Sequence, residues 1–293
     1  MARVRTRASE MASPRPASHQ GSGKKARVRV TLSEQGGVRY LHFGSVWVQG
    51  AMRVARPFAL ELEYQQQMMA LGLLLPRPRR ILQLGLGAAA LTKFCWRHCT
   101  EASVTAVDIS ESVIATARHS FRLPPDDGRL TVVAADARRF VEGTRNRFDW
   151  LQVDLYDAAA RGPVYDNVGF YRACRAVLAR PGAAAFNLFG RSFEPSFAAI
   201  AAAFEDRALV LPQADAGNRV VLAWRGPGPK LGLRELSARA DMLLATWRLP
   251  AHAWLAGLMT ENGLVGAIVE GSPMSPRRSS RAYRAAHSRH LDR

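Results

Sequence analysis

From residue 27 the chain alternates apolar and polar positions. "ARVRVTLSEQ" runs into Gly36-Gly37, and "VRYLHF" resumes the alternation, the pattern of a β-hairpin followed by further strand. It predicts a small N-terminal β-hairpin domain over 27–63. The stretch "ALELEYQQQMMALGLLL" then shifts to helical spacing, which predicts one helix ending near Pro76.

Beyond Pro78 the pattern becomes strand, turn and helix in repetition. "RRILQLGL" reads as a buried strand, "AALTKFCWRHC" as a helix, "SVTAVDIS" as strand two and "ESVIATARHSF" as a second helix. "LTVVAADA" and "FDWLQVDLYD" read as strands three and four. "VGFYRACRAVLARPG" predicts a helix stopped by Pro-Gly, "AAAFNLFG" a fifth strand, "SFEPSFAAIAAAF" a helix, and "ALVLP" with "NRVVLAW" the last strands. Such alternation specifies an α/β fold, a doubly wound sheet of Rossmann-like type with helices on both faces, here over 64–225. The segment 226–270 carries amphipathic spacing and predicts a helical extension packed on the main domain or on a second subunit.

In open α/β sheets ligands bind beyond the carboxyl ends of the strands, where the strand order reverses. That rule selects four acids. Asp108 closes strand two, Asp136 strand three, and Asp154 and Asp157 follow strand four, all at the rim where the turn Gly85–Leu86–Gly87 leaves strand one. Asp108 follows Gly87 by about 20 residues, the spacing at which a strand-end acid grips a ribose after a Gly-x-Gly turn. A helix cap is the competing reading for Asp108, although Ser110 is the better cap, and a cap competes equally with adenine recognition at Asp136. Asp154 and Asp157 would repel each other unless a cation or several donors sit between them, so "DLYD" reads as a site for something positive.

Composition changes this picture little. The net charge of +17 suggests nucleic acid until it is located: residues 1–28 and 277–293 supply +6 and +5 of it. The ends 1–26 and 271–293 are poor in large apolar residues and read as disordered basic tails, with weak nucleic-acid contact as their other use. No apolar leader segment and no run of about 18 apolar residues is present, which argues against secretion and against a membrane span. Cys95, Cys99 and Cys174 make an odd set that fits a reducing, cytoplasmic setting. "CWRHC" places Cys95, His98 and Cys99 at helical spacing, but no second ligand pair follows, and buried apolar thiols are the preferred reading over a metal site.

Taken in order, "LEYQQQMM", "ILQLGLGAAAL", "VDIS", "ADARRF", "DLYD" followed by "GP", and "FYRACRAVLARPG" resemble the spermidine synthases, the polyamine aminopropyltransferases, over residues 28–225. The resemblance implies a small N-terminal β-domain joined to a methyltransferase-type Rossmann domain. It implies transfer of an aminopropyl group from decarboxylated S-adenosylmethionine to an amine such as putrescine, with release of 5′-methylthioadenosine. The donor is then a co-substrate, and no resident cofactor or metal is expected. Gly85, Gly87, Asp108, Ile109, Asp136 and Ala137 would hold the donor. Asp154 would be the catalytic carboxylate, and Tyr64, Gln65 and Asp157 would face the amine. A homodimer is the expected assembly.

Two departures stand out. The family loop reads G-G-G-D-G-G, and its acid is Ala88 here. Loss of that charge removes a partner for an ammonium and a repulsion against the carboxylate of intact S-adenosylmethionine, which keeps a methyltransferase reading and a non-catalytic reading open. The region after the fifth strand, "LPQADAGNRVVLAW", lacks the family's tyrosine, so the acceptor side is either open or lined by Asp215 and Asn218.

Overall fold

The computed structural model describes residues 29–45, 47–157, 161–190, 192–226 and 232–264. Both basic tails lie outside the described residues. Strands β1 (Val30–Gln35) and β2 (Val38–Phe43) form the predicted hairpin, and β3 (Gly50–Arg53) adds to β2 antiparallel. Gly36 and Gly37 both have positive φ, the requirement of a tight two-residue turn whose twist matches the strands.

The expected single helix is instead two short ones, α1 (Glu63–Met68) and α2 (Leu71–Leu74). The chain tightens between them: the N–H groups of Met69, Ala70 and Gly72 each bond a carbonyl three residues back. The second turn is then set by packing, because a Cβ at Gly72 would stand 2.7 Å from Leu243.

The main sheet follows as β4 (Arg80–Leu84), α3 (Ala90–His98), β5 (Ser103–Asp108), α4 (Glu111–Ser120), β6 (Leu130–Ala134), α5 (Ala137–Gly143), β7 (Phe148–Val153), α6 (Val168–Ala176) and β8 (Leu178–Leu188). It ends with α7 (Phe193–Ala203), β9 (Ala208–Val210) and β10 (Arg219–Arg225). Strand order is β6-β5-β4-β7-β8-β10-β9, parallel from β6 through β8, with β10 antiparallel to both its neighbours. This is the predicted doubly wound sheet, with an antiparallel edge. The order reverses at β4, and Leu84 pairs Val107 on one side and Val153 on the other, so the strand ends that precede the four acids are level.

Helix α6 stops at Ala176 and not at the expected Pro-Gly. Residues 178–188 are strand, and the register with β7 jumps from Phe148↔Leu178 to Trp150↔Ala183. Pro181 sits in that irregularity, where its missing N–H leaves no ladder bond unmade.

Two glutamines, the polar positions inside otherwise apolar strands, pair across neighbouring strands in the interior. Gln83 on β4 donates to Gln152 on β7 at 2.8 Å, and Thr92 of α3 donates to Gln83 at 2.6 Å. Helix α3 is thereby fixed to the two central strands by satisfied buried polar groups. Helices α8 (Leu233–Trp247) and α9 (Ala251–Glu261) pack on the main domain: Trp247 meets Phe94 and Trp150 edge-on, and Asn262 bonds both the N–H and the carbonyl of Val210.

The N-terminal sheet rests directly on the glycine turn. A Cβ at Gly50 would stand 2.6 Å from that of Ala88, and Ala88 is 2% exposed among Leu41, Met52 and Phe121. A carboxylate here would lose its water without a partner. Ala88→Asp is therefore expected to lower stability by about 2 kcal/mol or more, read as a fall in melting temperature; an unchanged melting temperature would show that the contact yields.

Candidate active site

Glycine is required at the first turn position. Gly85 has φ +93°, and a Cβ on it would stand 2.1 Å from the carbonyl oxygen of Asp154, so the end of β4 and the end of β7 pass in contact. Gly87 has φ +51°, and its Cβ would meet the Gln49 carbonyl of the N-terminal domain at 3.1 Å. The turn is also held from the side. Asp108 accepts hydrogen bonds from the Leu86 N–H at 3.0 Å and the Ser110 N–H at 2.8 Å. Burial pushes its carboxyl up against these bonds. Ser110 caps α4 through Val113, leaving Asp108 free of capping duty.

A cavity of about 240 Å³ opens at this rim. Gly85, Gly87, Asp108, Ile109, Asp136 and Ala137 all line it, and so do Asp154 and Asp157. Asp136 does cap α5, accepting from the Arg139 N–H at 2.9 Å, and its other oxygen accepts from the Tyr165 hydroxyl. Burial works against its charge, but Tyr165 and the N–H groups of Arg139 and Arg138 outweigh it and hold the carboxyl below the usual range. Asp157 is drawn to Arg161, at 3.1 Å, on the side of this first cavity.

A second cavity, of about 490 Å³, lies beside the first, and Gln49 and Tyr156 line both. Tyr64, Glu61, Glu63, Asp215 and Asn218 are on its walls, with Trp47 and Phe189 as its aromatic sides. Gln65 lines neither cavity. It is buried and donates to the Tyr64 hydroxyl at 3.3 Å, so it bears on the site through Tyr64. Ala88 also lines neither.

Asp154 lines the first cavity and reaches the second through Tyr64, at the centre of a polar chain. Its Oδ1 accepts from Asn187 at 2.9 Å and its Oδ2 from the Tyr64 hydroxyl at 3.3 Å. Asn218 donates to Asn187 at 3.0 Å and to the Tyr156 hydroxyl at 3.3 Å. Among the described residues no cation is paired with Asp154. Burial pushes its carboxyl up to about 6, against the lowering effect of the Asn187 and Tyr64 hydrogen bonds. Burial and then the same carboxylate raise both tyrosines, keeping them neutral hydroxyl donors. The arrangement is a buried carboxylate pushed upward by desolvation, which lines the first cavity with Asp108, Asp136 and Asp157 and is hydrogen-bonded to Tyr64 on the wall of the second.

Sequence reasoning missed Asn187, Tyr156, Tyr165 and Gln49. Asn187 carried a signal, a polar residue inside an apolar strand, and Tyr156 sits within the "DLYD" motif. Tyr165 and Gln49 reach the site from loops whose placement no local pattern encodes. Among the described residues no group of three His, Cys, Asp or Glu side chains is placed to hold a metal, and no helix is long and apolar enough to cross a membrane.

Known proteins resemble this chain in sequence and in fold. The methyltransferase domain family matches residues 81–182. A polyamine aminopropyltransferase of Neisseria meningitidis serogroup A is 31% identical over 236 residues, 80% of this chain and 90% of the relative. One from Chromobacterium violaceum is 32% identical over 221 residues, 75% and 85% of the two chains. In fold, a probable spermidine synthase from Corynebacterium glutamicum superposes with a TM-score of 0.63 at 20% identity, covering 78% of this chain and 88% of its own. Human methyltransferase-like protein 13 superposes with a TM-score of 0.56 over 64% of this chain and 92% of its own, at 24% identity.

The raised Asp154 carboxyl has a stability consequence of definite sign. The native state holds the proton more tightly than the unfolded chain, so stability falls as pH rises from about 4 to about 6 and stays lower above that. Asp154→Asn removes the buried charge while keeping shape. It is expected to be more stable than the parent at pH 8 by about 2 kcal/mol, with the gain vanishing near pH 4, in paired denaturant melts.

Proposed function

The chain belongs to the polyamine aminopropyltransferase family, and from that premise we propose that it transfers an aminopropyl group from decarboxylated S-adenosylmethionine to a small amine such as putrescine. The observation that carries this reading is Asp154, a buried carboxylate with no cationic partner among the described residues, on the wall of the first cavity and hydrogen-bonded to Tyr64 on the wall of the second. An alkylammonium of pKa about 10 must lose a proton before its nitrogen can attack carbon, and an acceptor near pH 6 beside it takes that proton. The new bond forms between amine nitrogen and the carbon next to the sulfonium. The carbon–sulfur bond breaks, its electron pair neutralises sulfur, and 5′-methylthioadenosine leaves.

The two cavities divide the work. Asp108 and Asp136 offer carboxylates to ribose hydroxyls and to the adenine amino group, while Gly85 and Gly87 let backbone approach the nucleoside. On the acceptor side Glu63 and Asp215 give an anionic wall suited to a cation, with Glu61 beside them paired to Arg53, and Tyr64 with Asn187 fixes which lone pairs of Asp154 remain free. Asp157 contributes to the field near the donor, where it shares its charge with Arg161.

Ala88 bears on donor choice through packing. Its methyl group fills the contact with Gly50, away from both cavity walls, so the intact donor is not favoured by a missing charge in the lining. The donor test is calorimetric titration followed by product analysis with putrescine. Decarboxylated donor is expected to bind more tightly and to yield 5′-methylthioadenosine; preference for intact donor with S-adenosylhomocysteine as product would make the protein a methyltransferase. Asp154→Asn should lower kcat by about a hundredfold or more. The parent's kcat/KM should fall below about pH 6, and Tyr64→Phe should move that limb to higher pH by removing a bond that favours the charged form. Parent-like turnover in Asp154→Asn would take Asp154 out of the reaction.

A further inference from the structure

On another face, a groove of about 610 Å³ lies between the loop after β3, helix α3 and the turn joining α8 to α9. Arg56, Arg97 and Arg248 reach it from these three separate elements, all three exposed and none with a carboxylate partner among the described residues. Arg97 is held 5.4 Å over the Phe58 ring, a contact that fixes the guanidinium plane and satisfies none of its N–H donors. Arg248 takes the left-handed conformation, φ +56°, at the end of α8, where glycine is the usual residue. The one carboxylate on the wall, Glu61, is already bonded to Arg53. The groove therefore carries three unneutralised guanidinium groups between the Phe58 and Trp247 side chains.

We propose that this groove binds a compact polyanion carrying two or more phosphate or carboxylate groups. Guanidinium forks arriving from three directions match an anion with several acceptor oxygens, and a volume of this size admits one small molecule. Glu61 couples the groove to the rest of the molecule, since it lines the acceptor cavity as well. An anion that draws Arg53 away leaves the Glu61 carboxylate uncompensated, which strengthens the acceptor cavity's attraction for a cation. That coupling rests on the function proposed above; the binding does not.

Titration calorimetry of the full chain at about 150 mM salt with inorganic tripolyphosphate and, separately, citrate tests the proposal. Three proteins are compared: the parent, Arg97→Gln/Arg248→Gln, and a tail variant, Arg3→Gln/Arg5→Gln/Arg7→Gln, because basic termini also attract polyanions. The expected result is one site per chain, weakened about tenfold or more in the groove variant and unchanged in the tail variant. Tripolyphosphate alone binding would identify a phosphate ligand, citrate alone a polycarboxylate. No binding of either, or loss in the tail variant with none in the groove variant, would overturn the proposal. Both replaced arginines are exposed, and equal melting temperatures of the three proteins separate lost binding from lost folding. Where turnover is measurable, tripolyphosphate should lower the acceptor KM; binding without that effect would leave the site and remove the coupling.

Discussion

Gly85 has no room for a side chain because the carbonyl of Asp154 occupies the space a Cβ would need. This contact brings the end of β4 against the end of β7, and both Gly85 and Asp154 line the same cavity. The glycine turn and the Asp154 carboxylate are then fixed relative to each other by backbone, the stiffest part of the molecule. Asp108 completes the arrangement by bonding the Leu86 N–H, so the turn is held from β5 as well.

Burial that gives Asp154 its chemistry is supplied at a cost in stability. A carboxylate pushed up to about 6 is one the fold would prefer protonated, and only the Asn187 and Tyr64 donors oppose this. Asn187 on β8 is in turn held by Asn218, which immediately precedes β10, so segments far from the glycine turn in sequence oppose the upward push on a carboxylate just past the end of β7. The antiparallel pairing of β10 with β8 is what brings Asn218 beside Asn187.

The N-terminal sheet is tied to the same turn. Gly50 lies against Ala88 so closely that neither position has space to grow, and Gln49 beside it lines both cavities. Ala88 therefore makes a packing contact, and the acids on the wall of the second cavity are Glu61, paired with Arg53, together with Glu63 and Asp215.

The sequence by itself determined the sheet, the level rim of acids and the glycine turn, because these follow from periodicity and from residues close together along the chain. The hairpin of β1 and β2 and the capping role of Ser110 were legible for the same reason. Tertiary structure alone decided that α1 and α2 are separate, since the break follows from packing of Gly72 on Leu243, and that α6 ends before Pro181, since β7 claims Leu178 as a partner. It also decided that Gln65 acts through Tyr64, that Ala88 faces the β-domain, and that Arg56, Arg97 and Arg248 share one groove. Each of these depends on which distant segments meet, and local pattern carries a residue's face and spacing but not the identity of what packs against it.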